Sequence, residues 1–581
     1  MIFGKHINKY YLKYSIPLIL GVISLLIVDY YQIQIPKILG GLLDDLKKGT
    51  VGSQGLTEFI ETFSLIVGIM VIGRIAWRLL VMGTSRRVEY DLREQLYVHS
   101  LKLDQPFYQT HKVGALMAYF SNDLDAVRMS FGRGALLLFD SLFLGVLVII
   151  RMVDMNWQLT LVTTIPLLFL GITAFFIIKK MRIKFKLRQD AFEHMSDFTQ
   201  ESFSGIQVIK AFVKEVTEAF RFKEINDDFY NKHMDFVKTM IWVNIVINVF
   251  VNLTMMTIIG VGAYIAINGG LSSGQLFEFY ALFGTLIWPV MALTQYANFR
   301  SQAQASYKRV SEFLDSKPTL KEGNLVAENI MGSVTFKNLY FSYPDAPDIQ
   351  VLKNINLKIN AGESIGILGR TGSGKSTFVD LLLRVYNVDS ETIYLDDYDM
   401  MDLTVKSTRA HIAYVPQDNF LFSTTIKDNI GFSEQEMSID KIHEAAKLSD
   451  VYDNIVEFKE GFETVLGERG VTVSGGQKQR ISIARALAKD APILILDDSV
   501  SAVDTNTEET ILNNLKQIRK GKTTIVIAHR ISTVRKLDRI VLLDKGFLVD
   551  VGTHQELMNR SPLYQDMVER QTLESQVTGN A

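Results

Sequence analysis

The chain contains no cysteine in 581 residues. That absence excludes disulfides, cysteine-ligated zinc, iron–sulfur clusters and a cysteine nucleophile at once. An excess of one charge sign is missing too. Lys and Arg number 61 against 63 Asp and Glu, a formal net charge of −2, so no general polyanion-binding character follows. The N-terminus, MIFGKHINKYYLKYS, has no small-residue cleavage site after its first apolar run and is neither Arg/Ser-rich nor acid-poor. It is expected to be neither a secretory leader nor an organelle transit peptide.

What the chain does have is apolar length, unevenly spread. Long apolar runs dominate up to about residue 300, and an ordinary soluble composition follows from about residue 332. Six runs approach the roughly 20 residues that a membrane-spanning helix needs: Ile16–Pro36, Phe59–Met82, Leu136–Met152, Leu159–Ile178, Ile241–Ile267 and Leu276–Leu293. Six buried core helices in one half of a soluble protein would be a strained alternative. The long segments Gly83–Asp125 and Lys179–Lys238 are rich in Lys and Arg, among them Arg86, Arg87, Arg93, Lys179, Lys180 and Arg182. The loops on the other side are short, so both termini are expected in the cytosol. The two long segments read as helical with one polar face, and the membrane helices are expected to continue through them into the cytosol.

Asp29, Arg74 and Arg78 stand inside apolar runs. Intramembrane charge is costly and marks function by default. Counting helical rise from the membrane edges separates Asp29 and Arg74 by about 12 Å in depth, so no direct pair is expected. Arg74 and Arg78 are expected to snorkel or to face a wet inward cavity. Asp29 is a candidate for lining a cavity that receives cationic cargo. Met255, Met256, Phe277, Phe279, Tyr280, Phe283 and Trp288 are candidates for an adaptable apolar cavity, or equally for packing against lipid and other helices. Pro289 is expected to kink the last span.

DSKPTLKEGNLVAENIMG (Asp315–Gly332) is polar, broken by Pro318 and Gly323, and lacks a helical stripe. The expected division is a membrane domain over 1–315, a linker over 316–332 and a second domain over 333–581. That second domain opens with strand-like alternation in SVTFKNLYFSY and IQVLKNINLKI. Then ESIGILGRTGSGKSTFVDLLLRVY gives an apolar strand, a glycine-rich turn and a helix. The turn holds a full G-x-x-x-x-G-K-S from Gly369 to Ser376. Backbone N–H groups around Thr371, Gly372, Ser373 and Gly374 can wrap phosphate oxygens, with Thr377 next on the helix. Lys375 can reach the outer phosphates and the Ser376 hydroxyl can ligate Mg²⁺. A second strand, ILILDD, ends in Asp497, which fits a Mg²⁺ ligand held directly or through water.

Taken together, these residues resemble an exporter-type half-transporter of the ATP-binding-cassette (ABC) family, over nearly the whole chain. Tyr343 in YFSYPD matches the aromatic that stacks on adenine. Gln417 in YVPQDNFLF matches the glutamine that senses Mg²⁺ and the membrane helices. TVLGERGVTVSGGQKQR resembles the exporter-type segment with the family signature, Ser474, Gly475, Gly476 and Gln477. Ser501–Asp504 (SAVD) matches the loop that addresses the partner domain, and His529 in IAHRISTV matches the switch histidine at the γ-phosphate. Two cytosolic crossings resemble the coupling-helix regions, near Gln109–Ala115 and Ser202–Gln207.

The resemblance implies an α/β P-loop ABC ATPase domain with a helical subdomain, behind the all-α six-helix membrane domain. It implies ATP and Mg²⁺ as cofactors and a second half-transporter as partner, because the signature closes over ATP held by the other chain. The membrane is the cytoplasmic one of a bacterium, the cargo a small amphipathic or drug-like compound, and nucleic acid is not a partner. The family normally has glutamate after the Walker-B aspartate, where it orients the attacking water. Here Asp498 stands there, one methylene shorter, and its carboxylate is withdrawn by about 1.5 Å. A 1 Å misplacement can lower a rate roughly a hundredfold. Such a departure resembles the degenerate-site subunit of heterodimeric bacterial multidrug exporters, with hydrolysis mainly at the partner's Walker site. Val473 replaces the usual leucine of the signature, a mild change. VDSETIYLDDYDM lacks the family's glycine-bearing turn, which puts the local turn geometry in doubt. A homodimeric lipid flippase and a siderophore or peptide transporter on the same scaffold are the alternatives. A peptide exporter with its own protease is disfavoured, as no N-terminal peptidase segment is expected.

Overall fold

The computed structural model describes residues 4–111, 113–467, 470, 473–500 and 503–577. Contacts divide the chain into two compact units. Residues up to 101 and 113–316 form the first, and 102–112 with 317 onward form the second.

Long helices make the first unit: α1 (Ser15–Lys48), α2 (Ser53–Ser100), α4 (Val113–Met155), α5 (Trp157–Ser204), α6 (Glu215–Ile267) and α7 (Ser273–Asp315). A short helix, α3 (Gln105–Thr110), follows α2 and belongs to the second unit. Among the described residues, α1, α2, α4, α6 and α7 are long and apolar enough to cross a membrane. The run Leu159–Ile178 lies in α5, of which some side chains fall outside the described residues. At 1.5 Å rise per residue a 30 Å hydrocarbon core takes about 20 residues. Helices of 34 to 53 residues therefore project well beyond it.

Short turns make α1 and α2 an antiparallel hairpin, closed at Gly49, which takes the left-handed region at φ +69°. Small residues allow close crossings. A Cβ on Gly40 would lie 2.5 Å from the Gly274 carbonyl oxygen, so α1 and α7 touch backbone to backbone there. The start of α7 is fixed beside this crossing. Ser272 and Gln275 form a reciprocal capping box, and the Asp44 carboxylate accepts from the Gly274 N–H at 2.7 Å and from the Ser272 hydroxyl. Arg151 of α4 pairs with the buried Glu278 of α7 at 2.8 Å. α7 stays helical through Pro289.

Three turns in this unit are π-helical: Arg78–Met82 in α2, and Tyr119–Asp123 and Ser130–Gly134 in α4. Each widens the helix locally and re-aims the side chains it carries.

The second unit is an α/β domain. Strands β1 (Val334–Ser342), β2 (Gln350–Ile359), β4 (Ile393–Leu395) and β5 (Tyr398–Asp399) form an antiparallel sheet ordered β2-β1-β4-β5. Strands β3 (Ser364–Gly369), β6 (Ile412–Val415), β7 (Ile493–Asp497), β8 (Thr523–Ile527), β9 (Arg539–Asp544) and β10 (Phe547–Gly552) form the second sheet. Its order is β10-β9-β3-β8-β7-β6, parallel except for the β9–β10 hairpin. Parallel strands covered on both faces read as continuous apolar runs, and β7 is buried at every position. Helix α8 (Lys375–Leu382) follows β3, α9 (Gly475–Lys489) precedes β7, and α10 (Thr505–Ile518) follows it. A separate apolar cluster, including Leu421, Ile430, Ile442, Ile455 and Ile481, forms the core of a helical subdomain that includes α9.

The turn that lacks glycine is built by Glu391 in the left-handed region at φ +64°, with its N–H bonded to Asp399 Oδ2 at 2.6 Å. The residues after 316 pack onto the second unit. Asp104, just before α3, accepts from Thr319 Oγ1 at 2.7 Å and from the Thr319 and Leu320 N–H groups. Tyr386 donates to Gln109 Oε1 of α3 at 2.6 Å.

Candidate nucleotide site and membrane cavity

At the end of β3 the chain turns sharply into α8. The turn needs positive φ at Gly372 (+78°) and Gly374 (+100°), and a Cβ on Gly374 would meet Leu352 at 2.7 Å. Only glycine serves there. Thr371, Gly372 and Ser376 are exposed, while Ser373 and Thr377 are buried. The N-terminus of α8 and these N–H groups make an anion cradle. Lys375 folds over it and donates to the carbonyls of Gly369 at 2.8 Å and Arg370 at 3.1 Å. Burial pushes the Lys375 ammonium below the usual lysine range, with Asp497 and Asp498 pulling the other way. A phosphate within reach of this cation would be a stronger acceptor than either carbonyl.

Asp497 ends β7 and is buried. Burial, and next the neighbouring Asp498, push its carboxyl above the usual carboxylate range. Lys375, His529 and a hydrogen bond from Tyr414 oppose that shift. Asp380 of α8 is pushed up to about 6 by burial and by Asp497. Crowded acid groups of this kind are relieved by a cation. The exposed Ser376 hydroxyl, the Asp497 carboxylate and the Gln417 side-chain carbonyl form an all-oxygen set of the type Mg²⁺ prefers. Among the described residues no cluster of three or more His, Cys, Asp or Glu could hold a metal by itself. The set therefore fits an ion that takes its remaining ligands from phosphate and water.

Asp498 occupies the left-handed region at φ +45°. Its N–H bonds to the Ile527 carbonyl at 3.0 Å, its carboxylate accepts from Gln417 Nε2 at 3.5 Å, and its carbonyl accepts from Gln479 Nε2 at 3.3 Å. The residue is thereby fixed between the strand end and the Gln417 loop. His529 is exposed after β8, with its carbonyl held by Gln571 at 2.6 Å. Tyr343 donates to or accepts from Thr377 Oγ1 at 2.7 Å, and its ring packs edge-on against Phe341 and Tyr386.

The signature residues are also helix-forming ones. Ser474 caps α9 in a reciprocal box with Gln477, at 3.2 Å and 2.9 Å. Gly475 is exposed and Gly476 half-buried behind it. Among the described residues no hydrogen bond joins Ser474–Gln477 to residues 369–376. Asp504 caps α10 through the Thr507 N–H at 3.0 Å. Ser501 and Ala502, and Glu468, Arg469, Val471 and Thr472 of the segment before the signature, lie outside the described residues.

In the membrane domain a cavity of about 800 Å³ is lined from α1, α2, α4 and α7. Asp29 and Trp288 stand in its wall with Arg74 and Arg78. The depth argument that separated Asp29 from Arg74 fails for a geometric reason. Asp29 stands 20 residues before Gly49 and Arg74 stands 22 after Gly52, so the hairpin brings them level. The neighbouring Gly73 confirms the register, since a Cβ there would lie 2.6 Å from Val28. No ion pair joins the two, and Arg74 reaches Gln32 at 3.4 Å instead. The apolar candidates divide. Phe279 and Phe283 are buried in a cluster with Ile33, Leu144 and Val148, and Met255 packs against it. Met256 is 70% exposed, Phe277 and Tyr280 are partly exposed, and none of these lines the cavity. Two wall residues escaped the sequence reading. Asp140 interrupts the run Leu136–Met152, the same signal that marked Asp29, and Arg133 precedes that run by three residues.

Comparison with known proteins agrees with this arrangement. Residues 18–290 match the model of the ABC transporter transmembrane region, and 352–501 match that of the ABC transporter family. A probable multidrug resistance ABC transporter ATP-binding/permease protein of Bacillus subtilis, YheI, is 34% identical over 100% of this chain and 98% of its own. The multidrug resistance-like ATP-binding protein MdlA of Escherichia coli is 36% identical over 96% and 94%. A bacterial Atm1-family ABC exporter solved with ATP bound superimposes with a TM-score of 0.76 at 25% identity, covering 97% of this chain and 98% of that one.

Proposed function

This chain belongs to the ABC transporters, as an exporter half-transporter with its membrane domain fused to its ATPase domain, and from that premise we propose that it is the slow-site subunit of a heterodimeric exporter of amphipathic, drug-like compounds. ATP-driven export is the activity of the family. The finer reading rests on one observation: the carboxylate that must address the attacking water is Asp498, one methylene short and fixed by its backbone at φ +45°.

The chemistry follows from the residues. Thr371 to Gly374 and Lys375 grip the β- and γ-phosphates. Ser376, Asp497 and Gln417 would hold Mg²⁺, which supplies charge neutralisation at the phosphates. His529 donates toward the γ-phosphate. Gln417 is hydrogen-bonded to Asp498 and so ties the Mg²⁺-holding set to the carboxylate that addresses water. Binding is therefore complete in this chain, while water activation is weak. Ser474 to Gln477 serve ATP on the partner chain, where the dipole of α9 and the serine hydroxyl meet the γ-phosphate.

A partner is supported by a second feature. In the last turn of α5 and after the short helix Ile206–Ala211 that follows it, the side chains of Phe203, Phe212 and Val213 are 72%, 70% and 79% exposed. Exposed apolar side chains grouped in this way fit a protein contact. Both termini are assigned to the cytosol on the charge pattern of the long segments.

The test is purification of the chain with and without the product of the neighbouring gene, followed by an ATPase assay. The expected result is strong nucleotide binding but little turnover by the chain alone, and transport-coupled turnover with a partner that carries a Walker-B glutamate. Saturable turnover by the single chain, unchanged in Asp498→Glu, would favour a homodimeric flippase instead.

A further inference from the structure

We propose that the cavity between α1, α2, α4 and α7 binds a zwitterionic amphiphile, with its cationic group on Asp29 and Asp140 and its anionic group on Arg78 and Arg133. This deepens the transport reading by naming the class of cargo, and it rests on the membrane domain being a transport domain.

The argument starts from charge that is not matched inside the chain. Asp29 is 1% exposed and its Oδ2 has no hydrogen-bond partner. A buried carboxylate oxygen without a donor is strongly unfavourable unless a ligand or water supplies one. Beside it, Asp140 accepts from Trp288 Nε1 at 2.8 Å and stands within hydrogen-bond reach of the Asp29 carboxyl, so the two form an acidic pair. Three guanidinium groups share the same wall. Arg74 has the Gln32 contact at 3.4 Å, Arg78 lies 5.5 Å from the centre of the Trp77 ring, and Arg133 lies 5.8 Å from that of Phe299. Among the described residues none of the three is in an ion pair. Positions at membrane depth that carry free charge are retained for what they bind.

The balance of signs selects the ligand. A cation would satisfy Asp29 and be repelled by three arginines. An anion would satisfy the arginines and leave the Asp29–Asp140 acidic pair without a cation. A molecule that carries both signs meets both demands. Its apolar body has Leu25, Val28, Leu136 and Leu144 to lie against, and Trp77 and Trp288 to flank it. The volume of about 800 Å³ lies within the usual range for drug-sized ligands. The helices themselves supply an independent sign. Arg78 and Arg133 each stand on a π-helical turn, an irregularity that is found mostly at functional sites and turns a side chain away from the ordinary helical face.

The experiment uses the full-length chain in nanodiscs without ATP, so its outcome does not depend on Asp498 or on a hydrolytic partner. The probes are three amphiphiles with one dodecyl tail, each below its micellar concentration: N-dodecyl-N,N-dimethylglycine, dodecyltrimethylammonium and dodecanoate. Binding is read from tryptophan fluorescence. The zwitterion is expected to bind at least tenfold more tightly than either singly charged probe. Asp29→Asn is expected to weaken the zwitterion and the cation while leaving the anion unchanged. Arg78→Gln with Arg133→Gln is expected to weaken the zwitterion and the anion only. ATP binding by each variant checks folding. Nanodiscs of phosphocholine or of phosphoglycerol lipid separate the two sources of such a ligand. A weaker apparent affinity in phosphocholine discs identifies a lipid headgroup, and equal affinity in both identifies a free compound. Equal binding of all three probes, or tighter cation binding in the double arginine variant with no loss of the zwitterion, overturns the proposal.

Discussion

Replacing Asp498 with glutamate restores the missing methylene and should switch on the slow site. The added carbon advances the carboxylate by about 1.5 Å. Misplacement by 1 Å is worth roughly a hundredfold in rate, or about 2.7 kcal/mol of barrier. Single-turnover hydrolysis at this site is therefore expected to rise about a hundredfold when the signature is supplied by the partner. ATP affinity should stay within twofold, because Lys375, Ser376 and Asp497 are unchanged. A structural charge goes with the gain. Asp498 holds a positive φ that aspartate tolerates better than glutamate. Glutamate there should lower stability by up to about 1 kcal/mol, or ~2–4 °C in melting temperature for a domain of this size. The assay is rapid-quench hydrolysis of radiolabelled ATP by the purified pair, with a partner variant lacking its own Walker-B glutamate so that only this site reports. A rise of less than threefold with unchanged ATP affinity would show that carboxylate reach does not limit this site.

Three further outcomes follow from the second unit. Asp380 titrates near 6 in the fold, above its unfolded range, so its contribution to stability is present at low pH and lost as pH rises through 6. Asp380→Asn should therefore gain stability over the wild type between pH 5 and pH 7, in paired urea titrations read as a difference. Asp104→Ala removes the acceptor that holds Thr319 and Leu320. A loss of about 1–3 kcal/mol is expected locally, seen as faster tryptic cleavage after Lys321. Glu391→Gly relieves a left-handed φ at an exposed turn. It should leave ATP binding intact and change stability by no more than about 1 kcal/mol, in the stabilising direction.

How much could be read from the sequence depended on how local the determinant is. The phosphate loop needs only its own glycines and the strand and helix either side, so Gly369–Ser376 was legible outright. Asp497 and Asp498 were legible because a buried strand must end where its acids begin. The apolar runs located the helices because twenty apolar residues have few other uses. Depth within the membrane was not legible. It depends on where the Gly49 turn falls above the apolar run, and that turn lies past the stretch that hydropathy marks. Nor do the π-helical turns at Arg78 and Arg133 have a residue signature that hydrophobic periodicity registers. The affiliation of residues 102–111 with the second unit was hidden for a similar reason. It is fixed by Asp104 meeting Thr319 and by Gln109 meeting Tyr386, partners more than two hundred positions away.

That last arrangement bears on how the ATPase domain can be dissected. The unit is woven from two pieces of chain, so cutting once near residue 316 does not release it whole. A fragment beginning at 317 would lose the acceptor for Tyr386 and the carboxylate that gathers Thr319 and Leu320. Its hydrolysis rate would describe a damaged object rather than the enzyme. Supplying residues 102–111 as a separate peptide, and asking whether it restores the melting temperature of the fragment, would measure how much of the domain is lent by the membrane half.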